Sequence, residues 1–336
     1  MDSISHIAIG ACMGEIFGGK KLGNKAMIWG AIAQSLPDID FIASFWMDTA
    51  SNLLAHRGFT HSFLFVLIAS PILAFITDRF HRPLEIQFKT WLIFFIAVIG
   101  SHVLIDAFNN YGTAWWEPFN HTRVTFNTIY VADPFLSIWP VLAFVILLIR
   151  KGGEMWRKKI AVFGLTLSLL YLIYGIANKV FIDQEVRRLL KTQQVVYDDY
   201  FTTPAPLQTW LWYVVAGDST GFHVGFISLF DKKDTLKLTF FPRNEHLLKP
   251  LSESEELAKL KRFSEGFYTA EMWHDTLVFN DLRFGQMIGW EQPNQKFVFH
   301  YYLKEGADNS VVVQRGRFAF WNGEVFQTFF KRIFGY

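Results

Sequence analysis

The chain is poor in cysteine and in charge. Its single cysteine, Cys12, excludes an intramolecular disulfide framework and a zinc site built on thiolates, so any metal must be held by His, Asp or Glu. Only 18% of the residues are charged and the net charge is +2, so there is no cationic surplus for nucleic acid and none is expected as a partner. No basic region precedes the first apolar stretch, so a cleaved signal peptide is not expected. No internal repeat is visible, which counts against a transporter architecture. What fills the space is 51% hydrophobic and 18% aromatic residues in a chain of 336, the composition of a membrane protein with room for two or three domains.

Six apolar segments are candidate spanning helices. Residues 160–178 have the length that a hydrocarbon core of about 30 Å requires, and 135–149 is shorter. Residues 61–77 and 90–108 are long and apolar but polar at one end, and 4–18 and 26–46 are interrupted by Gly, Pro37 and acids. With alternating helices, the connections 19–25, 78–89 and 150–159 share one side and carry eleven Lys and Arg, among them Arg82 and Lys151. The opposite connections carry only Arg57 and Arg123. Cationic loops stay cytoplasmic, so the N-terminus and everything after about residue 180 are expected outside.

Polar residues gather at one level of this topology. The stretch LLAHRGFTHSFLF, residues 53–65, places His56, Arg57 and His61 at the outer mouth of an apolar run. Segment 90–108 returns to that side with His102 and Asp106, four apart and therefore on one helix face. The first two segments add His6 near an outer start, and Asp38 and Asp40 of SLPDIDF near an outer end. Ionisable groups in spanning segments are costly to bury and are usually functional. His6, Asp38, His56, His61, His102 and Asp106 are therefore candidate metal ligands, with Asp40 close behind Asp38. The spacing of His102 and Asp106 is weak by itself, and the other four have structural alternatives. His56 and His61 can be loop histidines ahead of an N-cap at Thr60 or Ser62, Asp38 can cap a helix restarting after Pro37, and His6 can be a satisfied buried histidine. Convergence from four segments is what favours ligation.

Imidazoles and carboxylates without thiolate suit zinc, with manganese or iron as alternatives, and six ligands suggest one to three ions. A coordinated water then becomes the nucleophile near neutral pH. Arg57, Asn109 and Arg123, with Asn110 and Thr113, are placed to hold an anionic group, and Asp40 completes the expected catalytic set. Arginine matches phosphate bidentately, which favours a phosphoester. Asp133 before Pro134 reads as a helix N-cap, and Trp115 and Trp116 as an interfacial belt.

HRGFTHS and HVLIDAFNNYGTAWWEPF, preceded by LPDID, resemble the YdjM-type family of membrane-bound metal-dependent hydrolases over residues 1 to about 180. That family is similar in turn to the zinc-dependent phospholipase C and P1-type nuclease group, whose helical folds hold zinc with His and Asp. The resemblance implies the same six ligands, hydrolysis of a phosphodiester or phosphomonoester, and a bacterial inner membrane.

Beyond about residue 185 the texture changes. LWYVV, HVGFISLF, LKLTFF, KFVFHYYL and SVVVQRGRFAF read as strands, and residues 252–267 as a helix with an acidic start and a basic end. Asp281 and Arg283 of DLRFG read as a structural ion pair, and the histidines of this half show no ligand spacing. The expected fold is an α-helical membrane domain of about six helices over residues 1–180, followed by a mixed α+β extramembrane domain over residues 185–336. The expected function is metal-dependent hydrolysis of a phospholipid or lipid-linked headgroup reached from the outer leaflet. A metal-ion transporter, or a receptor or assembly protein with a structural metal, are the alternatives.

Overall fold

The computed structural model describes residues 2–81, 86–150, 152–232, 236–304, 309 and 321–335. Arg82, Lys151 and the strand expected over 310–320 lie outside them. Asp2 caps the first helix, α1 (Ser3–Leu22), by accepting from the Ser5 amide, and Gly23, at φ 57°, lets the chain turn into α2 (Asn24–Ser35). These two helices touch backbone to backbone. A Cβ on Gly30 would lie 1.9 Å from the Gly10 carbonyl oxygen, and one on Gly14 would lie 2.0 Å from that of Ala26. Only glycine permits such an approach.

Pro37 stops α2, and Pro37–Phe45 continues as a 3-10 helix. The spanning helix expected over 26–46 is therefore not formed: the 12 residues of α2 cover roughly 18 Å, well short of the hydrocarbon core. A short helix, α3 (Thr49–Ala55), and a 3-10 turn, Phe59–His61, lead into α4 (Phe63–His81). Then come α5 (Phe88–Asp106), α6 (Pro134–Ile149) and α7 (Glu154–Thr192). Among the described residues, three helices are long and apolar enough to cross a membrane, α4, α5 and α7, and α6 is a shorter apolar helix. The expectation of six spans is reduced accordingly. α4 and α5 bury Ala74, Trp91 and Phe95 between them and their neighbours while leaving Leu67, Phe75 and Ile93 exposed, which suits contact with lipid. Asp133 caps α6 with Pro134 at its first position.

The chain divides into two compact units, Met1–Trp46 with Ala55–Gly175, and Met47–Leu54 with Ile176–Tyr336. The second unit contains two antiparallel sheets. β1 (Asp199–Pro204), β2 (Leu211–Gly217), β3 (Gly221–Ser228) and β4 (Leu238–Pro242) pair in sequence order, as do β5 (Tyr268–Trp273), β6 (Thr276–Gln286) and β7 (Phe297–Tyr302). The apolar runs at 211–215, 223–230, 236–241 and 296–303 overlap β2, β3, β4 and β7, whereas β1, β5 and β6 carry more polar residues and were not expected as strands. α8 (Glu255–Phe263) is capped by Ser254 and α9 (Gly323–Ile333) by Asn322. Arg283 is buried against Asp281, with Nη2 2.8 Å from Oδ2, as an internal ion pair.

Candidate metal centre

The centre is built in the first unit from the end of α5, the 3-10 helix after α2 and the turn before α4. His102 and Asp106 lie one turn apart at the end of α5. The His102 Nδ1–H donates to the Gln34 carbonyl at 2.5 Å, which leaves Nε2 with its lone pair facing inward. His61 precedes the span-length helix α4. Its Nδ1 lies 3.1 Å from Thr60 Oγ1 and 3.4 Å from Asp40 Oδ2, so its Nε2 also faces inward. The two Nε2 atoms are 3.1 Å apart. Asp38 Oδ1 lies 3.6 and 3.5 Å from the nitrogens of His61 and His102, and Asp106 Oδ2 lies 3.6 and 3.8 Å from them.

These four donor atoms lie within 4.8 Å of one another. A tetrahedral ion with ligand distances of about 2.0–2.2 Å needs donors separated by roughly 3.3–3.6 Å. The separations that involve the two imidazoles, 3.1–3.8 Å, are near this range, and the two carboxylate oxygens lie within 4.8 Å, so the residues fit a divalent cation with small side-chain shifts. His61, His102 and Asp106 are fully buried, whereas the Asp38 side chain is 21% exposed and marks the accessible side.

The other expected residues surround this set. His6 Nε2 lies 3.1 Å from Asp106 Oδ1, its ring stacks on His102 at 3.8 Å, and its Nδ1 lies 3.4 Å from the Gln34 side-chain amide. His6 thus meets the far oxygen of a donor carboxylate. His56 Nδ1 lies 3.0 Å from Asp40 Oδ1, and its ring is 6.3 Å from that of His61. Asp40 Oδ2 accepts the Arg57 amide at 2.7 Å and the Thr60 hydroxyl at 3.1 Å, which makes its carboxylate the clamp of the loop 56–61. The left-handed residue of this loop is Arg57, at φ 59°, and not Gly58, at φ −83°.

Arg57, Asn109 and Arg123 are engaged with protein atoms. Arg57 is buried, with Nη2 3.2 Å from Asp106 Oδ2, Nη1 2.7 Å from Asn109 Oδ1, and its guanidinium over the Tyr111 ring. Arg123 Nη2 donates to the His56 carbonyl at 2.7 Å. Asn110 and Thr113 are buried in the same loop. Gln34 was not singled out in the sequence. It touches both His6 and His102 and accepts from Ser101, and the sequence signal that was passed over is a lone amide in the apolar stretch AIAQSL.

Burial would raise the carboxyls of Asp38 and Asp40, but the imidazoles beside them, His102 and His61 for Asp38 and His56 and His61 for Asp40, hold both well below the usual range. Burial opposes a charged His61, yet the carboxylates of Asp106, Asp38 and Asp40 outweigh it and raise its pKa to about 9. A proton on Nε2 therefore occupies the place that a cation would take.

A family model described as YdjM inner membrane protein matches residues 1–182. The chain is similar to a Bacillus subtilis (strain 168) protein named "Uncharacterized protein YfhP", 29% identical over 206 residues, 59% of this chain and 59% of that protein. It is also similar to inner membrane protein YbcI of Escherichia coli (strain K12), 30% identical over 122 residues, 36% of this chain and 69% of that protein. The chain thus spans 59% of the length of the first relative. No solved structure matches it.

Proposed function

The chain belongs to the YdjM inner membrane protein family, and on that premise we propose that it is a membrane-embedded, metal-dependent hydrolase of a phosphoester. Asp38, His61, His102 and Asp106 hold one divalent cation. The observation that carries this reading is the opposed pair of imidazole nitrogens 3.1 Å apart, flanked by two carboxylates. Two imidazoles and two carboxylates suit zinc, with manganese or iron as alternatives. Four donors support a single ion, which leaves His6 and His56 as positioning residues on Asp106 and Asp40.

When bound, such a cation would supply a nucleophile from water and polarise a phosphoryl oxygen, provided that Asp38, the exposed donor, yields its position, since four protein donors fill a tetrahedral ion. The chain's own residues do the rest. Gln34 and Asp40 fix the two rings with Nε2 inward, His6 and Arg57 orient Asp106, and Asp38 stands on the accessible side where substrate and water arrive. Phe41, Phe45 and Trp46, exposed on and just after the same 3-10 helix, favour a lipid headgroup presented at the bilayer surface. The asymmetry of Lys and Arg in the loops favours the outer leaflet.

The test is metal analysis of the purified chain, combined with release of phosphate or phosphorylated headgroup from a panel of phospholipids and lipid-linked phosphates. About one equivalent of ion, with turnover lost in H61A and H102A, is expected. Bound metal without turnover on any member of the panel would overturn the hydrolase reading. A second reading, a structural ion, is favoured by the donor count, because closed sites with four protein ligands are typically structural. In that case a chelator would unfold the membrane unit; for the hydrolase it abolishes turnover and leaves the helices intact.

A further inference from the structure

We propose that the first unit carries a second site, unrelated to catalysis, for the headgroup of an anionic phospholipid. It lies at the other end of α1 and α5 from the His/Asp cluster. His6 is in the first turns of α1 and Lys20 and Lys21 in its last turn, roughly 20 Å further along the axis. A cavity of about 430 Å³ opens there, lined by Lys20, Lys21 and Lys158 together with apolar Ile16, Phe17 and Ile86.

Two carboxylates also line the cavity, and each has a cation. Glu15 is buried and paired bidentately with Arg157, at 2.8 Å for both contacts, and Glu154 lies 3.5 Å from Lys20. Three lysines against these two carboxylates leave the lining with a net positive charge, to which Arg157 beside Glu15 adds. A second cavity, of about 390 Å³, shares Lys158 and is otherwise walled chiefly by Met155, Val162 and Phe163 on the outer surface of α7. Those three side chains are exposed at the start of a span-length apolar helix.

A cationic pocket joined through one lysine to an apolar groove on a spanning helix matches a phosphodiester headgroup with acyl chains attached. Free phosphate would use the lysines and leave the groove idle. Basic pockets between membrane helices take anionic lipids by this combination of charge and adjoining apolar surface.

Native mass spectrometry of the full chain in detergent, titrated with phosphatidylglycerol, phosphatidylcholine or inorganic phosphate, tests the assignment. Phosphatidylglycerol is expected to be retained roughly tenfold more strongly than phosphatidylcholine. The K20Q/K21Q/K158Q variant should lose that preference, K20R/K21R/K158R should keep it, and K191Q/K249Q/K304Q, which removes as much charge elsewhere, should also keep it. Equal retention of the two lipids by the unmodified chain overturns the proposal, and this reading does not depend on any variant folding. Loss of preference in the remote variant also overturns it, by assigning the effect to net charge. Displacement of phosphatidylglycerol by an equal concentration of inorganic phosphate would identify a free-phosphate site instead.

Discussion

His61 Nε2 and His102 Nε2 point at each other across 3.1 Å although the residues are 41 apart in the chain and sit on different elements. The opposite nitrogen of His102 donates to the Gln34 carbonyl, and that of His61 faces Asp40 and Thr60. Two neutral imidazoles held in this way present lone pair to lone pair. The arrangement is stable only with something positive between them, either a proton or a metal ion, and the carboxylates of Asp38 and Asp106 complete the requirement for charge.

Removing either ring removes a ligand. H61A and H102A are expected to weaken metal affinity by more than about a hundredfold, the upper range for loss of an outer partner, and to abolish turnover. Metal content after equilibration in a chelator-buffered series measures this. Unchanged content in either variant would show that the nitrogens do not hold the ion.

His6 is expected to behave differently, because its Nε2 meets Asp106 Oδ1 and lies outside the four-donor set. H6A should lower affinity by about 10–100-fold while the stoichiometry at saturation stays the same. A fall in saturating stoichiometry would identify His6 as a ligand in its own right.

From the sequence, His6, Asp38, His61, His102 and Asp106 come to one level if segments 4–18 and 26–46 cross the bilayer. The residues meet although 26–46 forms no spanning helix, because Pro37 ends α2 and the 3-10 helix after it carries Asp38 to the end of α5. The sequence could not rank them, since whether a ring turns its Nε2 into the four-donor set or towards the far oxygen of Asp106 depends on orientation set by Gln34. The anion-binding role expected for Arg57, Asn109 and Arg123 rested on their side-chain chemistry; their engagement with Asp106, Tyr111 and loop carbonyls is set by the fold of loop 109–126. The strands rich in Val, Phe and Tyr were legible, but β1 and β6, with Asp, Thr and Asn among their residues, were not. The glycines of α1 and α2 read as interruptions, yet they are what allows the two helices to meet.

A methyl group at that contact tests the point. G30A places a Cβ against the Gly10 carbonyl, so α1 and α2 must separate. Overpacking of this kind costs about 1–3 kcal/mol, and here it also moves Gln34 away from His6 and His102. Thermal unfolding in detergent should shift down and metal affinity should fall together. A stable variant with native affinity would show that the close approach does not position the cluster.

Proton and cation compete for His61. Its folded pKa, about 9, lies above the ordinary 6.5, so the stabilisation of the metal-free protein by this group is fully present below about 6.5 and is lost as pH rises through 9. Metal binding expels that proton, so apparent affinity should rise by about tenfold per pH unit between 7 and 9 and then level off. Stability of the metal-free chain and affinity for metal are thus expected to move in opposite directions with pH. Affinity independent of pH over this range would mean that His61 is already neutral.

The loop 56–61 depends on one carboxylate. Asp40 accepts from the Arg57 amide and the Thr60 hydroxyl, and its two oxygens face the Nδ1 atoms of His56 and His61. The left-handed backbone of Arg57 costs about 1–3 kcal/mol and persists because these bonds hold it. In D40N one oxygen becomes an amide that can only donate, opposite groups that also donate, so the loop must relax and His61 is no longer held with Nε2 inward. Hydrogen exchange across residues 55–62 should rise and metal affinity fall by about 10–100-fold, while exchange in α4 and α5 stays at its native level. If exchange in the loop is unchanged and affinity still falls, Asp40 acts on the ion itself and belongs among its ligands.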